Sequence, residues 1–354
     1  MMELIVFLIR EHYVGRVRDM HLETFEDDVH ESVRELAEIQ LEESITSDVL
    51  HEGHDLFRLM MPCRTSIVAA TQLDAPTIIA NLQSLPQLQQ RTSEWYAFRH
   101  TLITASAIHK AHGTPAKRNE LIVEKCDPTI TIQSLSMEGA RHWGVKYEAV
   151  SVLYYTAEYN TIIHEFGCIR HPSIEFLGAS PDGINVGENR YGRMLEIKNP
   201  VSREITGVPK EEYWIQVQVQ MAVCGLTSCD FLETKFVEYA SRSAFDLDGT
   251  FQRSAADQHK GIILCVAVDG ISKYLYPPYQ CSEPNYEEWE ALQLSKTEWI
   301  STIYWKLDDV LCTLIEYSDE WFQASLPLYQ ELWETIQRER GSGEWISRRP
   351  KKRT

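Results

Sequence analysis

The stretch from residue 180 to residue 200, SPDGINVGENRYGRMLEIKNP, constrains the fold of this chain more than any other. Asp182 precedes a run rich in turn residues, and Glu196 and Lys198 follow it. Position 189 is midway between the two acids, so an antiparallel hairpin folded about that point sets Asp182 opposite Glu196. Directly opposed residues have Cβ atoms about 4.5–5.5 Å apart, where two carboxylates repel unless a cation or a proton lies between them.

Alternation along the second strand separates a polar face from an apolar one. Glu196 and Lys198 project from one face, while Leu195 and Ile197 project from the other and can pack on a helix. Mg²⁺ is held by one or two carboxylates and keeps several waters, and a lysine beside it can orient an attacking water or help to deprotonate it. The alternative is a solvated hairpin in which Lys198 simply pairs with Glu196. The stretch taken alone does not separate the two.

Charge is distributed unevenly along the 354 residues, whose formal net charge is −18. Residues 1–80 hold 16 acidic and 6 basic side chains, residues 81–280 hold 22 and 19, and residues 281–354 hold 14 and 9. The total argues against a protein that coats nucleic acid nonspecifically. The near balance of the middle section leaves room there for a groove lined by local arginine and lysine.

The apolar runs and the cysteines limit the class of protein. A hydrophobic content of 44% is typical of a globular protein, and the longest apolar runs fall far short of a membrane span. The start, MMELIVFLIREHY, lacks the basic region and cleavage site of a signal peptide. The eight cysteines form no CxxC pair, which predicts reduced thiols in an intracellular compartment.

Hydrophobic periodicity predicts a helix over 20–45, with an acidic opposite face that we expect to be solvated. Thr24 and Asp27 have the spacing of a capping box. Two short helices joined near Thr104 are expected over 86–112. The apolar face of the helix predicted over 20–45 is expected to comprise Leu22, Phe25, Val29, Val33 and Leu36.

The remaining pattern predicts helices on both sides of a series of strands. A helix is expected over 138–158, strands over 160–200, and a helix over 211–225 that ends at Gly225. The runs ETKFVEY and GIILCVAVDGISKYLY are strand-like, residues 284–340 look helical, and the tail RRPKKRT looks disordered. The core contacts expected from the 138–158 helix are Trp143, Tyr147, Val150 and Leu153.

This order of elements predicts an α/β fold, with one mixed central sheet flanked by helices. It also suggests four regions. Residues 1–85 are an acidic, mainly helical region, and residues 86–280 are the core. Residues 281–345 are a helical region packed on that core, and residues 346–354 are a basic tail.

Several motifs resemble one nuclease family. SPDG followed by LEIK resembles the bipartite motif of the PD-(D/E)xK nuclease superfamily, whose core is restriction-endonuclease-like. EWYAFRHTLITAS (94–106) resembles the W-x3-R-x4-TAS signature of phage lambda exonuclease and its relatives, the YqaJ-type viral recombinase nucleases. WGVKYEAVSVLYY (143–155) and YWIQVQVQM (213–221) are similar to that family's G-x3-E-x-x-A and Y-x-x-Q-x-Q helices. The resemblance covers roughly residues 90–230.

The resemblance implies a set of metal ligands. Asp182 and Glu196 would bind the catalytic Mg²⁺, for which Mn²⁺ would substitute, with the Ile197 carbonyl as a further ligand. Glu148 would add a carboxylate for a second metal or a bridging water.

It also implies roles for residues around the metal. Lys198 would activate and orient the attacking water, and Gln216 would help to position Lys198 or that water. Arg99 and Ser106 would grip the 5′-terminal phosphate of DNA, since an arginine fork matches phosphate oxygens. Arg203 would join them, although its spacing from the catalytic lysine is one residue shorter than in the family.

Some of these side chains have simpler interpretations. Trp95 and Trp143 are expected to be core anchors rather than base-stacking platforms. Gln216, Gln218 and Gln220 alternate, so they cannot all face one site of a helix, and two of the three are expected to be structural or exposed. The histidine pairs in HEGH and HKAH lack a third metal ligand and are expected to be exposed or capping.

The resemblance implies a Mg²⁺-dependent 5′-to-3′ exonuclease that degrades one strand of linear double-stranded DNA in viral DNA recombination, repair or processing. Its expected partners are double-stranded DNA ends, a strand-annealing protein and further copies of itself in a trimeric ring. It is not expected to bind a membrane. Its expected location is the host cytoplasm or the host nucleus. The alternatives are a structure-specific endonuclease or resolvase of the same fold, and an interaction protein that binds host factors through its acidic N-terminal region.

Overall fold

The computed structural model describes the chain in five stretches: residues 1–15, 24–60, 75–129, 140–268 and 270–349. Leu22 of the expected apolar helix face and residues 350–354 of the basic tail lie outside them. The start of that tail is ordered, contrary to expectation. Residues 344–348 form a 3-10 helix, and the Arg348 guanidinium lies 2.5 Å from the Glu339 carboxylate.

Four helices come first in the described chain: α1 (Met2–Gly15), α2 (Phe25–Leu41), α3 (Ser47–Met60) and α4 (Ala75–Ser84). Helix α2 confirms the helix predicted over 20–45. Its buried face continues from Val33 to Ala37, whereas Leu36, expected on that face, is 41% exposed. The prediction for Leu36 is wrong: positions 36 and 37 both follow Val33 at a helical spacing, and of the two only Ala37 is buried.

Thr24 does not form the expected capping box with Asp27. Its backbone is helical (φ −87°, ψ −1°), and its side chain accepts no hydrogen bond from the first turn of α2. An N-cap residue normally has an extended backbone, which directs its side-chain oxygen at the free N–H groups of that turn. The prediction is therefore wrong on local backbone geometry.

The next elements carry part of the cleft described below: α5 (Ser93–His100), β1 (Ile103–Thr104), α6 (Ala105–Ile108), α7 (Pro115–Cys126) and α8 (Ala140–Glu158). Helices α5 and α6 confirm the two short helices expected over 86–112, with β1 between them. Helix α8 confirms the helix expected over 138–158. Tyr147 and Val150 are buried in its core face, while Trp143 and Leu153 are partly buried.

The remaining strands are β2 (Ile163–His164), β3 (Ile169–Arg170), β4 (Leu177–Ala179), β5 (Gly183–Asn185), β6 (Met194–Lys198), β7 (Ser228–Glu238), β8 (Lys260–Val268), β9 (Ile271–Leu275) and β10 (Glu298–Glu316). The remaining helices are α9 (Glu211–Cys224), α10 (Arg242–Leu247), α11 (Glu283–Leu294) and α12 (Asp319–Ser342).

Seven strands form a mixed central sheet in the order β2-β5-β6-β7-β10-β8-β9. Strands β6 and β7 run parallel, and the other neighbours in this sheet are antiparallel. The α/β fold with a mixed central sheet is confirmed. The expectation of a single sheet is wrong, because β1, β4 and β3 form a second, three-stranded sheet.

The expectation that residues 284–340 are helical is wrong for strand β10. This strand pairs with β7 on one side and β8 on the other, and it buries Trp305, Leu307 and Ile315. Its sequence, EWISTIYWKLDDVLCTLIE, is rich in the β-branched and aromatic residues that suit a half-buried sheet. Strand β10 is therefore a central strand of the sheet that carries the hairpin β5–β6.

Strand β6 lies between two helices. Leu195 and Ile197 pack with Tyr147 of α8, as the alternation predicted. Glu196 faces the other side, toward α9. Helix α9 ends where expected, with Gly225 in the left-handed conformation (φ 75°). The fold thus places the polar face of β6 against the glutamines of α9.

The seven cysteines that the structure describes are all free thiols, in agreement with the sequence. No helix in the five described stretches has both the length and the apolar character needed to span a membrane.

One histidine of each pair is more buried than expected, whereas His51 is exposed as predicted. The His54 ring is 2% exposed, and its nitrogens lie 3.0 Å from the Tyr13 hydroxyl and 2.8 Å from His30 Nε2. The His112 ring lies 2.7 Å from the Tyr329 hydroxyl and stacks on Trp321. Both histidines are packed core groups, so the expectation of exposed or capping residues is wrong for them.

The stability of the fold is expected to fall in mild acid because of His112. Burial lowers the pKa of His112 from 6.5 to about 4. Between these values the unfolded chain binds a proton and the folded chain does not. The contribution of neutral His112 to the free energy of unfolding is fully present above pH 6.5. It is lost progressively toward pH 4, by up to about 3 kcal/mol. Urea unfolding of wild type and His112→Gln at pH 7.0 and 4.5 should show a smaller loss in the variant; equal losses would contradict this account.

Candidate active site

The β5–β6 hairpin brings the two predicted metal-binding acids together. Gly183 pairs with Leu195, which is the register that the symmetric turn predicts. Continued by one residue, that register sets Asp182 opposite Glu196. The Asp182 carboxylate accepts a hydrogen bond of 2.7 Å from the Ile197 amide, which holds this carboxylate against strand β6.

Glu196 is held by three side chains. Its Oε1 is ion-paired with the Lys198 ammonium and accepts a 2.7 Å hydrogen bond from Gln216 Nε2. Its Oε2 accepts a 2.8 Å hydrogen bond from Gln220 Nε2. Since Glu196 is only 2% exposed, these donors replace the water that the carboxylate would otherwise bind.

The glutamines of α9 divide differently from the prediction. Gln216 and Gln220, four residues apart, both contact Glu196. Gln218 points away and bonds the backbone of Glu316 and Ser318. The prediction that the three cannot all face one site is confirmed by Gln218, but two of the glutamines, rather than one, contact Glu196. Gln220 was missed, although its spacing of four from Gln216 puts both on one helix face.

Burial and mutual repulsion mark the carboxylates of this site. Burial, then Glu196 and Glu148, raise the pKa of Asp182 well above its usual value. Burial also raises the pKa of Glu148. The Arg91 guanidinium opposes this rise, and the Glu196 carboxylate adds to it. Arg91 Nη2 lies 3.4 Å from Glu148 Oε2, and Arg91 has a left-handed backbone (φ 68°). Three acids thus share a poorly solvated region.

Lys198 is an ammonium in this arrangement. Burial alone would lower the pKa of Lys198, but the Glu196 and Asp182 carboxylates outweigh it and raise that pKa. The nitrogen also lies 3.3 Å from Gln216 Oε1 and 4.9 Å from the centre of the Tyr213 ring. Lys198 is therefore a hydrogen-bond donor that is held in a fixed position in the site.

Arg99 lies in a pocket of hydroxyl groups. Its guanidinium donates to Ser106 Oγ (3.2 Å), Ser180 Oγ (3.3 Å) and Thr104 Oγ1 (3.5 Å), and it stacks on Trp95 at 4.3 Å. Burial lowers the pKa of Arg99. Within the five described stretches it has no salt bridge, so its positive charge is uncompensated. Such a pocket suits an anion with several oxygens.

Arg203 is arranged differently from Arg99. It forms an ion pair with Glu233, a β7 residue that is 2% exposed, and lies 5.8 Å from the Tyr213 ring. Its charge is thus already balanced within the protein. Arg203 reaches the same cleft, but it offers an anion less net attraction than Arg99 does.

One open cleft of about 640 Å³ joins these groups. All nine residues that the sequence singled out line it: Arg99, Ser106, Glu148, Asp182, Glu196, Ile197, Lys198, Arg203 and Gln216. Further lining residues that the sequence did not single out are Ser180, Lys210 and Tyr213. Trp95 lines it too, but packs with Leu102 and Cys168 as the expected core anchor.

The donor set fits a divalent cation in an open site. Asp182, Glu196 and Glu148 supply three carboxylates, and their contacting cations are Lys198 and Arg91, so one negative charge is left over. In the described stretches no three His, Cys, Asp or Glu side chains lie close enough together to hold a metal ion, so an ion here would take at most two carboxylates from the chain. A site with two carboxylates, a carbonyl and waters is the kind that Mg²⁺ accepts.

Comparison with known proteins identifies the central part of the chain. Residues 94–227 match the YqaJ-like viral recombinase domain. This match confirms the family resemblance, and it includes all nine predicted site residues.

The chain is also similar to a curated viral protein, "Uncharacterized protein R354" of Acanthamoeba polyphaga mimivirus. The two are 27% identical over 339 residues, which cover 84% of this chain and 60% of the relative. The chain therefore spans about three fifths of that relative's length.

Two solved structures are similar to part of this chain. One is the alkaline exonuclease LHK-Exo from Laribacter hongkongensis, with a TM-score of 0.43 and 22% identity over 72% of this chain and 100% of the other. The other is LHK-Exo in complex with dAMP, with a TM-score of 0.42 and 23% identity over 72% and 99%.

Proposed function

We propose that this chain, whose residues 94–227 match the YqaJ-like viral recombinase domain, is a divalent-metal-dependent nuclease. Its substrate is linear double-stranded DNA, and it degrades one strand from the 5′ end with Mg²⁺ as the preferred ion. The observation that carries the proposal is the cleft. It joins a desolvated set of Asp182, Glu196 and Lys198 to the uncompensated Arg99.

The chain's own residues supply positioning and charge. Asp182, Glu196 and the Ile197 carbonyl would hold the ion, with Glu148 available for a second ion or a bridging water. The ion, when bound, acidifies water and polarises the phosphoryl oxygen. Lys198 orients the attacking water and donates to negative charge that develops at the phosphate.

The position of Arg99 supports action at DNA ends. Ser180, which accepts a hydrogen bond from Arg99, lies two residues before Asp182 in the chain. A terminal phosphate bound to Arg99 and Ser106 is thereby anchored beside the acidic groups. A terminal phosphate carries up to two negative charges, whereas an internal phosphodiester carries one, so an arginine beside the acids favours an end and thus the exonuclease over an endonuclease or resolvase.

The biological setting is part of the proposal. The similarity to a mimivirus protein supports a viral setting, and the match to a viral recombinase domain supports a role in DNA recombination, repair or processing. A strand-annealing protein and a trimeric ring of this chain are the proposed partners, in the host cytoplasm or nucleus. The acidic residues 1–85 are proposed as a partner-binding region, beside the core (86–280), the C-terminal region (281–345) and the tail (346–354).

Linear duplexes labelled at either end test this function. With Mg²⁺, a 5′-labelled strand should release labelled mononucleotide at once, while a 3′-labelled strand should shorten gradually. Chelation of the metal should stop both. A 5′-phosphate should be preferred over a 5′-hydroxyl, and Arg99→Met should remove that preference. Equal cutting of closed circular DNA would support the endonuclease instead, and first release of a 3′ label would reverse the polarity.

A further inference from the structure

Gln220 is a buried side chain that contacts Glu196 but is not among the proposed metal ligands. It is 1% exposed and lies on α9 one turn beyond Gln216. Its Nε2 donates to Glu196 Oε2 at 2.8 Å and lies 3.5 Å from the Ser180 carbonyl oxygen. One amide nitrogen thus connects β6 to the segment that leads into Asp182.

The contacts of Glu196 limit how it can bind a cation. A carboxylate has about four acceptor positions, two on each oxygen. On Oε1 both are taken, by Lys198 and by Gln216. On Oε2 one is taken by Gln220, so a single position is left. Glu196 can therefore offer a metal ion one bond, from one oxygen.

We propose that Gln220 is a positioning residue that restricts Glu196 to one-point metal binding and so makes the site selective for Mg²⁺ over Ca²⁺. The inference rests on the proposed metal-dependent nuclease. Mg²⁺ requires near-octahedral ligands at 2.0–2.1 Å, whereas Ca²⁺ takes six to eight oxygens and often binds both oxygens of one carboxylate. Without Gln220, only the Oε1 contacts with Lys198 and Gln216 hold the Glu196 carboxylate. The carboxylate can then rotate and exchange one of these contacts for a second bond to the ion, from which the larger ion gains.

Gln218 provides a matched control on the same helix. It is 0% exposed, and its amide also makes two hydrogen bonds, to the Glu316 carbonyl and from the Ser318 N–H, both 2.7 Å. Its partners lie away from Glu196. Gln218→Met and Gln220→Met therefore remove the same buried amide from one helix, and only the second removes a contact with the site.

Calorimetric titration of the full chain with MgCl₂ and, separately, CaCl₂ tests this role without DNA. In Gln220→Met the Mg²⁺ affinity should fall about 10- to 100-fold, the usual effect of losing a residue that orients a ligand. The Ca²⁺ affinity should fall less, so the preference for Mg²⁺ narrows. Gln218→Met should keep the wild-type preference. Gln220→Asn, which keeps an amide but shortens its reach by one methylene, should change the preference in the same direction and serves if the methionine variant does not fold.

Three results would overturn the inference: equal loss of affinity for both ions in the Gln220 variants, no loss for either, or the same change in Gln218→Met. A wild-type chain that shows no Mg²⁺-dependent nuclease activity would overturn the proposed function itself. The two failures are distinguishable, because the first concerns the variants and the second the unmodified protein.

Discussion

Asp182→Asn is expected to lower nuclease turnover about a thousandfold, roughly 4 kcal/mol of transition-state stabilisation, while the chain stays folded. The substitution removes a metal-binding charge but keeps an oxygen for the 2.7 Å hydrogen bond from the Ile197 amide. Stability should not fall. Burial with Glu196 and Glu148 raises the pKa of Asp182, so its charged form is disfavoured in the folded protein.

The measurement pairs a nuclease assay with thermal unfolding. In metal-free buffer near neutral pH, where the charged form of Asp182 costs stability, the melting temperature of the variant should equal or exceed that of wild type. Addition of Mg²⁺ should raise the melting temperature of wild type only, because an ion that binds the folded state stabilises it. Asp257→Asn, at a side chain that is 89% exposed, is the matched control. Activity of Asp182→Asn within tenfold of wild type would contradict the assignment.

Lys198→Met should lower kcat about 10²- to 10³-fold, the usual cost of losing one donor to negative charge that develops in the transition state. Its effect should differ in kind from that of Asp182→Asn. The Lys198 ammonium is ion-paired with Glu196, so its removal leaves the carboxylates with less positive charge and should leave Mg²⁺ binding intact or tighter. Single-turnover rates, with Mg²⁺ titrated in calorimetry, separate the two effects.

Lys210→Met is the control for that experiment. Lys210 lines the same cleft. Its ammonium lies 6.0 Å from the centre of the Tyr213 ring, and it forms no ion pair with a described carboxylate. Its replacement should raise the KM for DNA and leave kcat nearly unchanged. If Lys198→Met also changes KM alone, then Lys198 is only a DNA-binding cation, and its proposed role in catalysis is wrong.

The features that the sequence predicts well are those set by neighbouring residues. The hairpin register follows from the turn between Asp182 and Glu196, and the end of α9 follows from Gly225. Similarly, the alternation of β6 predicts which residues face α8. In each case the interactions that decide the structure lie within about fifteen residues, so the local pattern contains them.

The features it misses depend on distant partners. Strand β10 is a strand because β7 and β8 pair with it from both sides, and neither pairing is visible in its own pattern. Arg203 is balanced by Glu233, thirty residues further along the chain. Gln220 has a visible helical relation to Gln216, but its contact with Glu196 depends on how α9 packs across β6. These relations need the folded backbone.

The Asp182–Glu196 hairpin is proposed to bind a divalent ion and to support the cleavage of DNA. We would test this by measuring release of 5′-labelled nucleotide from linear duplex by wild type and Asp182→Asn, each with Mg²⁺ and with a chelator. Release is expected only from wild type with Mg²⁺. Release at the wild-type rate by Asp182→Asn, or by wild type in the chelator, would contradict it.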